Sequence, residues 1–211
     1  DAKLTIGLPP TVTAATGIDA MVHAIEAYTS KRLKNPLSDM LAREALRLMA
    51  GNITTAVKQG DNLEARSAML LGAMLAGQAF ANAPVAAVHA LAYPLGGNYH
   101  IPHGLSNSLV LPHVLRFNAS AASELYAELA PIILPGLNLP TDSREVSELL
   151  AEHFLSLAAD LGLQTRLSEM NIAESDLPKL AEEAMLQQRL LINNPRELSF
   201  DDALSIYQQA F

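Results

Sequence analysis

Asp19, His23, His89 and His103 together offer one carboxylate and three imidazoles, a nitrogen and oxygen donor set suited to a divalent transition metal. Asp19 and His23 stand four residues apart in GIDAMVHAIEAYTS. The apolar spacing there predicts a helix, so both side chains leave one face a turn apart. Taken alone, an Asp and a His at this spacing are more often a hydrogen-bonded surface pair. His89 and His103 change the weighting, because both sit among apolar or small residues, where an imidazole without a partner is costly. A shared metal is one partner that satisfies all four. His113 is read as a buried imidazole bonded to a backbone carbonyl, as is His153 on the polar face of its helix, and neither is assigned a function.

The elements that must position these residues read as helices. Pro9 and Pro10 open the first pattern, which runs to about Ser30 and carries Asp19 and His23. A second begins at Asn35 to Leu37 and reaches Gly51, with NITTAVKQG continuing it to Gly60. Asp61 reads as the N-cap of a run to Phe80 that is apolar almost all round, which predicts a central helix. Residues 84 to 93 read as a helix starting at Pro84 and disturbed by Pro94 and Gly96-Gly97, and Pro102 introduces another from His103 towards Leu115. On a straight helix the fourteen residues between His89 and His103 would hold the rings about 21 Å apart. The expectation is therefore a bend at the paired glycines.

Beyond Asn118, amphipathic patterns recur at about 119–133, 142–161, 175–191 and 199–210. Ser143 with Glu145 and Glu148, and Ser199 with Asp202, look like helix starts with acidic first turns. No strand alternation, repeat or low-complexity tract is evident. The fold class expected is all-α: one compact multi-helix domain over residues 1–211.

Composition narrows the function classes. Ala and Leu dominate and aromatic residues make up 5% of the chain, which favours close-packed helices over sheet. A net charge of −8 without any basic cluster argues against nucleic acid or an anionic membrane surface as partner. The absence of cysteine removes disulfides, thiolate metal sites and cysteine nucleophiles, and fits a cytoplasmic location. No apolar run approaches the roughly 20 residues that span a bilayer. The chain starts at Asp1, with the apolar LTIGLPP leading into the first helix, and the expectation is that an N-terminal part is missing.

The segments TAATGIDAMVHAIEAYTS, VHALAYPLGGNYHIPHGLSNSLVLPHVLRFN and NNPRELSFDDALSIYQQAF resemble the iron-containing alcohol dehydrogenase family. The resemblance covers the whole chain. It implies the helical C-terminal domain of that family, whose members carry a nucleotide-binding α/β domain with a Gly-rich phosphate loop upstream. It also implies metal ligands at Asp19, His23, His89 and His103, the four already nominated by type and spacing. Many members have a second histidine four residues after the first ligand histidine of the later motif, where this chain has Tyr93. A tyrosine there is a different proton carrier from an imidazole, His100 is the nearest alternative relay, and a Tyr93 that simply packs at the cleft carries at least equal weight.

The activity implied is hydride transfer between a small alcohol or aldehyde and NAD(P), assisted by Fe²⁺ or alternatively Zn²⁺. This half alone is expected to be inactive, with a homo-oligomer as a further expectation. Three rivals are weighed. A helical metal phosphohydrolase lacks its adjacent His-Asp pair here. A helical interaction domain would use the histidines structurally. A zinc-dependent polyol dehydrogenase or cyclising synthase shares the fold but usually differs around the second and fourth ligands.

Overall fold

The computed structural model describes residues 1–211: ten α-helices, three short 3-10 turns and no strand. The helices are α1 (Pro10–Tyr28), α2 (Pro36–Ala50), α3 (Ile53–Lys58), α4 (Leu63–Asn82), α5 (Ala87–Tyr99), α6 (His103–Ile133), α7 (Ser143–Asp160), α8 (Leu177–Met185), α9 (Gln188–Leu191) and α10 (Phe200–Ala210).

Local chemistry sets most helix starts. Asn35 Oδ1 accepts from the Ser38 N–H at 3.0 Å with Pro36 next to it, which starts α2. Asn62, one residue beyond Asp61, caps α4 by accepting from the Ala65 N–H. Asp142 caps α7, and Ser199 with Asp202 forms a capping box on α10. α5 has no such cap of its own.

α1 is the central element. It packs against α2, α3, α4 and α6, and from Ala24 through Tyr28 every residue is buried. α4, expected to be central, instead lies at the surface with Leu70, Leu71 and Met74 exposed. Its apolar circumference therefore does not mark the core. The chain leaves α4 and enters α5 at 107°. α6 then runs past α1, α5 and α7, and α8 and α10 close the far side.

Contact between α1 and α6 requires a glycine at 104. A Cβ there would lie 2.4 Å from the Ala15 carbonyl oxygen, so the two backbones touch where α6 begins. The NNPRE segment locks the approach to α5: Asn193 donates to the Val85 carbonyl at 3.2 Å, and Asn194 exchanges two amide hydrogen bonds with Asn118 on α6. Tyr207 on α10 donates to the Leu91 carbonyl at 2.6 Å, tying α10 to α5.

Several boundaries differ from the sequence expectations. Gly51 and Asn52 interrupt the helix before α3, so α2 does not continue to Gly60. α5 runs straight through Pro94, Gly96 and Gly97. The reversal falls three residues later, at His100, whose backbone is left-handed with φ 54°. α6 continues through Pro112 and Pro131, joining patterns that read as separate because tertiary burial outweighs the local proline cost of about 3 kcal/mol. Residues 175–191 hold two helices, α8 and α9, rather than one.

Candidate metal centre

α1 delivers Asp19 and His23 from one face, a turn apart. His89 comes from the third residue of α5, and His103 is the first residue of α6. The left-handed His100 followed by Pro102 folds α6 back, and one ligand atom from each of the four residues lies within 4.8 Å of the others. Asp19 Oδ1 is 4.0 Å from His23 Nε2, 3.8 Å from His89 Nε2 and 3.6 Å from His103 Nε2. The imidazoles of His23 and His89 stack at 4.7 Å between centroids, and Phe80 stacks on the other side of His23 at 4.6 Å.

Burial grades across the cluster. The His89 side chain is 3% exposed and that of His103 47%, with Asp19 and His23 between them at 16% and 21%. In this chain solvent thus reaches the cluster from the His103 side. Burial lowers the His23 pKa below its ordinary value; Asp19 opposes that, and His89 and His103 reinforce it.

Asn107, one turn after His103, lies against three of the four residues. Its amide nitrogen donates to Asp19 Oδ1 at 2.5 Å and lies 3.3 Å from His89 Nε2 and 3.2 Å from His103 Nε2. Its own Oδ1 is buried with no hydrogen-bond partner. One carboxylate oxygen and two imidazole nitrogens thus converge on a single amide nitrogen, an assembly of potential ligand atoms with one shared partner. Tetrahedral bonds of about 2.1 Å put donor atoms about 3.4 Å apart; the Asp19 separations close with shifts of a few tenths of an ångström, and the widest separations, within 4.8 Å, close with about 1 Å of side-chain movement. The residues fit a divalent ion.

Tyr93 stands a turn beyond His89. Its ring meets that of His89 edge-on at 6.5 Å and that of His103 at 5.9 Å, at the open side of the cluster. His100 is exposed, caps α5 and makes no hydrogen bond with any of the four residues. His113 is buried with an unpartnered Nδ1, so it lacks the backbone bond expected of a structural histidine.

Two residues at the site escaped sequence reasoning. Asn107 follows His103 by four residues, the same spacing that singled out Asp19 and His23. Glu26 is the only acid in α1 besides Asp19 and lies three residues after His23; a lone carboxylate in an apolar stretch was the available signal. It is buried at 4% exposure. One oxygen accepts from the Val88 N–H at 2.7 Å, and the other lies 2.7 Å from His89 Nδ1.

Comparison with known proteins places this geometry. The family model described as "Fe-containing alcohol dehydrogenase family, C-terminal" matches residues 13–211. A 1,3-propanediol dehydrogenase of Citrobacter freundii is 41% identical over 212 residues, covering 100% of this chain and 54% of that protein. Long-chain-alcohol dehydrogenase 1 of Geobacillus thermodenitrificans is 43% identical over 211 residues, covering 100% and 53%. Among solved structures, a 1,3-propanediol oxidoreductase superimposes with a TM-score of 0.94 at 40% identity, over 100% of this chain and 55% of that one. An alcohol dehydrogenase from Oenococcus oeni gives 0.92 at 36%, over 100% and 54%. The chain spans about half the length of the curated relatives it matches. With that match across its length, the chain belongs to the iron-containing alcohol dehydrogenase family and corresponds to the C-terminal helical domain of its members.

Proposed function

We propose that this chain is the metal-binding half of an NAD(P)-dependent alcohol dehydrogenase, working on a small alcohol or the matching aldehyde. The observation that carries this reading is the convergence of Asp19 with His23, His89 and His103, whose ligand atoms lie within 4.8 Å of one another. A divalent ion held by those four residues would supply Lewis acidity towards the substrate oxygen. The donor set accepts Fe²⁺ or Zn²⁺; family membership supports Fe²⁺, with Zn²⁺ as the alternative.

The chain's own residues do the rest. Asp19 brings the one negative charge among the four ligands, and three uncharged imidazoles leave the site's positive character intact for an oxygen with alkoxide character. The His103 side, the most exposed, is the substrate entrance. Phe80 walls off the His23 side and limits water there. Tyr93, whose ring lies 5.9 Å from that of the more exposed His103, is the residue assigned in this reading to hydrogen-bond a substrate hydroxyl and hand its proton on. His100, which makes no hydrogen bond with the ligands, is the weaker relay candidate.

Turnover in this account needs the nucleotide-binding half, because hydride transfer requires a positioned nicotinamide. The exposed apolar side chains of α4, Leu70, Leu71 and Met74, suit burial against that half or a second copy. The test is metal analysis of the anaerobically loaded 211-residue chain and of its His89→Ala variant, beside an assay with NAD(H), NADP(H) and short alcohols. Stoichiometric metal in the parent, its loss in the variant and no alcohol oxidation by either support the reading. Full metal uptake by the folded variant points instead to histidines with a structural role.

A further inference from the structure

We infer that Glu26 is a positioning residue that fixes His89 in the tautomer and ring orientation required to present Nε2 at the metal centre. This inference rests on the metal-site reading above. Glu26 is buried on α1, and its two oxygens divide their work. Oε1 accepts from the Val88 N–H at 2.7 Å, at the second residue of α5, a helix with no cap from its own sequence. Oε2 lies 2.7 Å from His89 Nδ1. A carboxylate only accepts hydrogen bonds, so the proton of a neutral His89 ring must sit on Nδ1 and the lone pair on Nε2.

That lone pair faces the cluster, 3.8 Å from Asp19 Oδ1 and 3.3 Å from the Asn107 amide nitrogen. The positive N-terminal end of α5 supports the carboxylate charge, and no Lys or Arg forms an ion pair with it. Because the same side chain holds the backbone at Val88 and the ring at His89, it clamps both the origin and the direction of that ligand. Residues bonded to the outer nitrogen of a metal-binding histidine commonly govern affinity by 10- to 100-fold.

Glu26→Gln keeps the shape and removes the double acceptor. If the amide oxygen stays on the Val88 N–H, the amide N–H₂ faces Nδ1 and favours the proton on Nε2, where it blocks ligation. If the amide turns over, the Val88 N–H loses its partner. The experiment is a Co²⁺ titration followed by visible absorption on the 211-residue chain, its Glu26→Gln, Glu26→Asp and His89→Ala variants, and the Glu26→Gln/His89→Ala double variant. Long-range ¹H–¹⁵N correlation of the metal-free parent reads the His89 tautomer directly.

The expected results are an Nδ1–H tautomer in the parent, Co²⁺ affinity about 10- to 100-fold weaker for Glu26→Gln, partial recovery for Glu26→Asp, and a double variant no weaker than His89→Ala alone. A role confined to capping α5 predicts lower thermal stability with unchanged Co²⁺ affinity. That outcome, additive losses in the double variant, or an Nε2–H tautomer in the parent overturns the inference. Failure of the folded parent to take up Co²⁺ while His89 keeps its Nδ1–H overturns the metal-site reading and, with it, Glu26's role at a metal, but leaves the tautomer assignment standing. The two failures are therefore distinguishable.

Discussion

Gly104→Ala tests how closely the metal ligands depend on backbone packing. A Cβ at that position meets the Ala15 carbonyl oxygen at 2.4 Å and its carbon at 2.7 Å, both atoms of a buried helix that cannot rotate away. Opening the shorter contact to an ordinary 3.4 Å moves the start of α6 about 1 Å from α1. His103 is the preceding residue, and Asp19 lies one turn beyond Ala15. Overpacking of this kind costs about 1–3 kcal/mol, a fall in Tm of about 2–12 °C for a chain of this size. A displacement of about 1 Å at His103 adds to the closure the four ligands already need to reach bonding distances, so Co²⁺ affinity should drop. Thermal unfolding followed by circular dichroism, with Co²⁺ titration below the transition, reads both effects, and Gly77→Ala, which meets nothing within 4 Å, is the control. Unchanged Tm and affinity would refute the packing argument. A lower Tm with full affinity would refute its link to His103.

Gly97→Ala should be neutral or stabilising by up to about 1 kcal/mol in urea denaturation, because Gly97 is exposed within α5 and has open space around its Cβ position; weakened metal binding would restore the glycine hinge. Asn194→Ala should cost about 2–3 kcal/mol, since it strands the buried Asn118 amide, and a loss below 0.5 kcal/mol on the same urea curves, about what an inconsequential surface change gives, would sink this. His113 carries a pH signature: burial first and Arg116 second hold its pKa down at about 4, with Glu148 opposing. The unfolded state therefore binds the extra proton, and stability present above pH 6.5 is lost as pH falls towards 4, by at most about 3 kcal/mol. Unfolding curves across that window, run with chelator, should show a larger loss in the parent than in His113→Leu, where the partly buried His23 and His153 still contribute in the same direction; parallel curves would contradict it.

Residue type and helical spacing are enough to nominate the four candidate ligands, because Asp19 and His23 report a shared face at i and i+4. The all-helical fold followed from composition and periodicity, and the capping box at Ser199 and Asp202 lies where its residues suggested. The turn that brings His103 back was misplaced. Glycines and a proline read as a break, yet packing of α5 against α6 and α8 keeps the helix intact through them, and the reversal uses a histidine in a left-handed conformation that no local pattern announces. α4 misled for a related reason: an apolar circumference reports burial only if something covers every side, and Leu71 and Met74 face outwards. Glu26 and Asn107 left faint signals in the sequence, but what ties them to His89 and Asp19 is packing between helices 63 and 88 residues apart.

The central claim is that four side chains from three helices hold one ion. Anomalous diffraction from crystals of the Fe²⁺- or Zn²⁺-loaded protein tests it most directly. The account predicts a single peak bonded to a carboxylate oxygen of Asp19 and to Nε2 of His23, His89 and His103. A folded protein showing no peak there, or an ion seated on other residues, would contradict it.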